Sequence, residues 1–203
     1  MKPPVNLSDE ELSEYADAHL AYELDMLRWS GSILYAYNIA ALRGFSLESP
    51  LSQPIANALL ESFAIHSRNL VDFLYLRNHY KKDRASDIVV EDYLDDRALQ
   101  RTLPPISELL RDAKKKADKQ VAHLACERLR YGVMDKSWMY AEITRELYTA
   151  FEQAVSHMPV SKVGRLLPTL VSSDRSPFTS VRGDQVQTPD GSVAGISFIL
   201  DSR

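Results

Sequence analysis

Apolar residues recur along this chain at three- and four-residue steps, through long stretches without helix breakers. No proline lies between Val5 and Ser49, and neither proline nor glycine lies between Ile55 and Leu103. From Ile106 to Met158 there is no proline and only Gly132. Such spacing over such lengths predicts helices. The first starts at Ser8, which stands three residues before Glu11 in the capping-box arrangement. Its stripe runs through Leu12, Ala16, Leu20, Leu27, Leu34, Tyr37 and Ala41. Ser30-Gly31-Ser32 predicts a kink or a division, and Gly44 a C-cap.

A second helix is predicted from near Ser52, with Pro54 in its first turn and Leu59, Phe63, Leu70, Phe73 and Leu74 on its stripe. It should end near His79 or Tyr80. A charged connector follows over 81–96, with a short helix around Tyr93. Pro104-Pro105 stops the chain, and Ser107 can cap a third helix that Gly132 ends. Ser137 can cap a fourth, with Ile143, Leu147, Phe151, Ala154 and Met158 inward and Pro159 closing it. A short amphipathic piece, Val163 to Leu170, is expected to dock back on the body.

Beyond Ser172 the composition turns to Ser, Thr, Asp, Pro and Gly, and three of the seven glycines are Gly183, Gly191 and Gly195. The sequence there reads as a flexible or partner-ordered tail. Gln185–Gln187, a Pro189-Asp190-Gly191 turn and Val193 to Leu200 also fit a marginal β-hairpin. The expected fold class is therefore all-α: a four-to-five-helix, mostly antiparallel bundle over 1–171 with a polar tail over 172–203.

Composition narrows the function classes. The 203 residues carry 45% hydrophobic and 26% charged side chains, which excludes disordered and low-complexity chains. One cysteine, Cys126, excludes an intrachain disulfide. No apolar run approaches the ~20 residues of a membrane span, and the N-terminal residues carry no secretory signal pattern. A cytoplasmic location with no membrane partner is the expectation.

The net charge of −4 is a cancellation. Residues 1–27 hold seven Asp/Glu against one Lys, whereas 111–130 hold seven basic against three acidic side chains. Arg111, Lys114, Lys115, Lys116 and Lys119 form a basic run on the third helix. It reads either as a solvated face that pairs with the acidic first helix or as a phosphate-contacting strip for RNA or a nucleotide. No aromatic residue interleaves with these lysines, so base stacking along the strip has no support.

Polar residues within the apolar stripes are the candidate chemistry. At 100° per residue, His19 and Glu23 fall on the first helix's stripe, His66 on the second's and Arg128 on the third's. Buried charges need partners, so Glu23 and Arg128 with two bridging histidines could fix helix register. The same four residues could instead form a ligand site, with His66, Arg128 and Glu23 as catalytic groups acting on a phosphoester. A metal on His19, Glu23 and His66 lacks the Glu-x-x-His pair of bundle sites, so no metal and no cofactor is expected. On the opposite face of the second helix Glu61, Arg68 and Asp72 read as a salt-bridge ladder, with Arg68 and Asp72 four apart, unless a helix or second subunit covers them. Trp29 and Trp138 read as packing anchors, Cys126 as a small core residue, and His123 as a boundary residue.

Leu59-Leu60-Glu61-Ser62-Phe63-Ala64-Ile65-His66-Ser67-Arg68-Asn69-Leu70 and Ala122-His123-Leu124 resemble a group of uncharacterised bacterial helical proteins, over Ser8 to Leu170. The architecture is similar to HEPN domains, helical bundles of toxin–antitoxin and phage-defence systems. Active HEPN ribonucleases carry Arg and, four to six residues later, His on one helix. Here Arg68 lies too far before His79, and Arg77 too near it. The resemblance therefore implies a non-catalytic protein- or nucleotide-binding module of a bacterial stress or defence system, homodimeric, with RNA, nucleotide or protein as partner. The alternative is an enzyme of phosphoester or metal-assisted chemistry built on the inward His/Glu/Arg cluster.

Overall fold

A computed structural model describes residues 7–42, 52–76, 87–94, 103–121, 138–165 and 167–168, together with the backbone of 182–187 and 193–199. The body is all-α. Its helices are α1 (Asp9–Tyr15), α2 (Ala21–Leu42), α3 (Ser52–Tyr75), α4 (Val90–Tyr93), α5 (Glu108–Lys116), α6 (Tyr140–Val155) and α7 (Val160–Val163). A π-helical turn, Ala16–Leu20, joins α1 to α2, and a second, Ala117–Val121, follows α5. Arg182–Gln187 and Val193–Ile199 pair as antiparallel strands, with an irregularity at Val186/Gln187.

Local chemistry sets the helix starts. At α1 the Ser8 hydroxyl accepts from Glu11 N–H while Glu11 Oε2 accepts from Ser8 N–H at 2.8 Å, so each end satisfies the other. These bonds hold the Glu11 carboxyl below its usual range. At α5 the Ser107 hydroxyl accepts from Leu110 N–H. The fourth long helix departs from expectation: it begins at Tyr140 with Met139 as N-cap and no side-chain cap. Ser137, expected to cap it, lies outside the described residues, as do Gly44, His79, Tyr80 and Gly132.

The expected division at Ser30-Gly31-Ser32 does not occur, and α2 runs unbroken through it. Ser30 Oγ donates to the Met26 carbonyl at 2.6 Å and Ser32 Oγ to the Arg28 carbonyl at 2.7 Å, so each hydroxyl is satisfied within its own helix. Gly31 is instead a close-approach point. A Cβ there would lie 2.9 Å from the Phe63 ring and 3.2 Å from Thr144 Oγ1. The irregularity falls at Ala16–Leu20, where Ala21 N–H reaches back five residues to the Ala16 carbonyl.

Side-chain meetings give the topology. Glu23 meets His66 and Gly31 meets Phe63, so α3 runs antiparallel to α2. Tyr148 donates to the Leu24 carbonyl and Thr144 faces Gly31, so α6 is antiparallel to α2. Phe63 packs on Tyr140 and Phe73 stacks on Phe151, which makes α6 parallel to α3. α5 lies antiparallel to α3, with Asp72 opposite Lys114 and Arg68 opposite Asp118. The core between these helices includes Leu24, Leu27, Phe63, Leu70, Leu74, Leu147 and Phe151, all fully buried.

The ends close on one another. Tyr93, 1% exposed, donates from its hydroxyl to the Leu12 carbonyl at 2.8 Å and so ties α4 to α1. Burial drives that phenol's pKa far up, so it stays a neutral donor. The docking piece expected from Val163 onward forms three residues earlier, as α7. Ser161 donates to Asp9, Lys162 Nζ to the Asp92 carbonyl, and Arg165 N–H to Asp17 Oδ1 at 2.9 Å. Val163 and Leu167 are buried beneath.

Candidate functional site

α3 is the element on which the polar groups converge. His66 Nδ1 lies 2.7 Å from Glu23 Oε2, with side chains 11% and 22% exposed. Asn69, one turn on, donates Nδ2 to both Glu23 oxygens at 3.3 Å. The Tyr22 ring meets the imidazole edge-on at 5.5 Å between centroids. A carboxylate can only accept, so a neutral His66 carries its proton on Nδ1 and presents Nε2 as the basic nitrogen.

Of the four residues read as one cluster, Glu23 and His66 are together. His19 is not with them. It is exposed and packs on Tyr15 at 4.7 Å between ring centroids. The cause is the π turn. A π turn advances less per residue than an α turn because its hydrogen bond closes one residue later, so a uniform 100° count misplaces His19. The buried series is instead Leu12, Ala16, Leu20, Leu24 and Leu27. Arg128, His123 and Cys126 lie outside the described residues.

The opposite face of α3 is not a local ladder. Arg68 donates Nε to Asp118 rather than pairing with Asp72. Lys114 Nζ lies 2.9 Å from Asp72 Oδ1 and 3.2 Å from Asp118 Oδ2. Two cations and two carboxylates therefore cross-link α3 to α5 and its π turn. Partial burial pushes the Asp118 carboxyl up, but the bonds and charges of Lys114 and Arg68 outweigh it and hold it below the usual range. A carboxyl depressed in the folded state contributes stability above its unfolded pKa, and loses it as pH falls through the folded value. Asp118→Asn should therefore lower stability at pH 7 and flatten its fall at acid pH. Urea unfolding of both proteins at pH 7 and pH 3 measures this, and an equal loss at both pH values would show that the charge of Asp118 contributes nothing.

These pairs also use part of the expected phosphate strip. Lys114 is committed to α3, not to the acidic first helix. Lys116 is half-buried, and Arg111 donates to the Ile106 carbonyl at 3.2 Å while Lys115 and Lys119 stay exposed. Ile65 on this face is 44% exposed.

Beside the network a cleft of about 490 Å³ opens between α3, Tyr15 and the segment leading into α4. Tyr15, Arg68, Asn69, Asp72, Phe73 and Asp87 supply most of its chemistry. Asn69 links it to the histidine pair, since it both lines the cleft and donates to Glu23. Partial burial raises the Tyr15 phenol, and the charges of Glu23 and Asp87 add to that. Tyr15, Asn69, Asp87 and Asp118 were not singled out by the stripe pattern. Asn69 alone carried a signal there, being one turn from His66 on the same face.

Among the described residues no group of three or more His, Cys, Asp or Glu could hold a metal ion. No described helix is long and apolar enough to cross a membrane. Comparison with protein-family models, with curated proteins and with solved structures gives no match.

Proposed function

We propose that this chain is a non-catalytic, HEPN-like binding module that takes a nucleotide in the cleft beside α3, and that it self-associates. The observation that carries the reading is the cleft itself. Its volume of about 490 Å³ suits a small ligand, where pockets of ~300–1,000 Å³ are usual. Its lining combines an aromatic face with fixed polar groups, the mixture that orients a planar base. Tyr15 supplies the stacking surface, and Asn69 and the Asp72 and Asp87 carboxylates supply acceptors for exocyclic amino groups.

Isothermal titration with adenosine, AMP and ATP tests this. At least one should bind, and Tyr15→Ala and Asn69→Ala should each weaken it about tenfold, equivalent to about 1.4 kcal/mol. Absence of binding by all three, or binding indifferent to both substitutions, sinks the proposal.

The Glu23–His66 hydrogen bond favours a second reading, an enzyme with His66 Nε2 as general base oriented by Glu23. Phosphodiesterase activity lost in His66→Gln, with folding intact, would select it over a binding module.

A further inference from the structure

Asn69 belongs both to the cleft and to the Glu23–His66 pair. A side-chain amide has a donor end and an acceptor end, and what holds one end decides which end a ligand meets. At Asn69 the choice is forced. The Glu23 carboxylate can only accept, so Asn69 turns Nδ2 toward it, 3.3 Å from both oxygens. The reversed amide would set Oδ1 against a carboxylate, acceptor against acceptor. Glu23 is itself held in place, because Oε2 is 2.7 Å from His66 Nδ1 and both side chains are largely buried. Oδ1 of Asn69 is therefore the end left over, and among the described residues nothing donates to it. The half-buried amide thus offers the cleft an acceptor. Asp72 and Asp87, on the same lining, are acceptors as well.

We propose that Glu23 is a positioning residue that sets the base selectivity of the cleft. By holding Asn69 with its amide oxygen outward, it selects a base that carries an exocyclic amino group, such as adenine, over a purine that lacks one. This rests on the base-binding reading above, and it names the class of base and the residue that chooses it. The selection is strong because it is asymmetric. A ligand without the amino group loses a hydrogen bond and also leaves Oδ1 covered and unpaired, which costs more than the bond itself is worth. Asn69 cannot adapt by turning round, since that would break its bonds to Glu23 and bring two acceptors together. An asparagine without Glu23 behind it could meet either kind of ligand, so the discrimination resides in the pair and not in Asn69 alone.

Isothermal titration of the full chain with adenosine and with purine riboside, which is adenosine without its amino group, tests the proposal. Adenosine should bind at least about tenfold tighter. Glu23→Gln keeps the shape but carries both a donor and an acceptor, so it can hold Asn69 either way round. In that variant the preference for adenosine should shrink to about threefold or less, with an unchanged circular dichroism spectrum. The ratio of the two affinities is the readout, because a merely structural loss would weaken both ligands together. Asn69→Leu removes Oδ1 without touching the Glu23–His66 bond. It should shrink the ratio in the same way, and it stands in if Glu23→Gln misfolds. Equal binding of the two ligands by the wild type overturns this selectivity and leaves base binding standing. A preference that survives both substitutions overturns the role of Glu23 and Asn69 and moves the selection to Asp72 and Asp87. Binding of neither ligand overturns the base-binding reading and this inference with it.

Discussion

Replacing Phe63 with alanine is expected to lower the free energy of unfolding by about 3–5 kcal/mol, the range for deleting a fully buried aromatic ring. Phe63 is 0% exposed and is where three helices meet. Its ring stands edge-on to Trp138 at 5.9 Å and to Tyr140 at 5.0 Å, and its outer edge fills the space left by the missing side chain of Gly31. Because Gly31 has no side chain to move inward, the void would be bounded by backbone on one side and rigid rings on the other. Such a site relaxes poorly, which places the cost toward the upper end. Urea unfolding followed by circular dichroism gives the value. A loss under about 1 kcal/mol would mean that α2 and α6 collapse onto the vacated space.

Gly164→Ala is the second large effect, at about 2–4 kcal/mol. Gly164 has φ 72° and ψ −164°, a region that residues with a Cβ essentially never occupy. A Cβ there would also lie 2.3 Å from Asp17 Oδ1. That oxygen cannot simply swing away, because it accepts the N–H of Arg165 at 2.9 Å. The substitution therefore strains the backbone and breaks the bond between Asp17, in the π turn after α1, and Arg165, just past α7. Hydrogen exchange should report the loss first in α1 and α7, with α3 and α6 protected until global unfolding. Equal loss across all helices would show that the clasp is integral to the core.

Features that depend on neighbouring residues were legible in the sequence. Ser8 with Glu11 and Ser107 before Leu110 announce helix starts, because a cap is satisfied within one turn. The meeting of Glu23 and His66 follows from phase on two regular helices. Features set by tertiary contact were not legible. Arg68 and Asp72 stand at the right spacing to pair with each other, yet Asp72 reaches across to Lys114 on α5 and Arg68 to Asp118 in the π turn that follows it, and spacing along one helix carries no information about a neighbour's side chains. The π turn at Ala16–Leu20 has no composition signature, and it alone displaced His19 from the stripe. Gly31 between two serines carries the signature of a weak helix. Only the proximity of Phe63 reveals that the missing side chain serves packing.

The contact of Asp17 with Arg165 spans 148 positions of the chain. α2 and α3, by contrast, are neighbours in sequence and pack along their lengths. Loop-closure entropy therefore lets the α2–α3 pair form early, while α1 must wait for the last helical segment. On a ribosome the order is stricter still. α1 is made before α2 to α7 yet is among the last to find its full set of partners, and the apolar side around Leu12 and Ala16 stays without α7 until synthesis has passed residue 165.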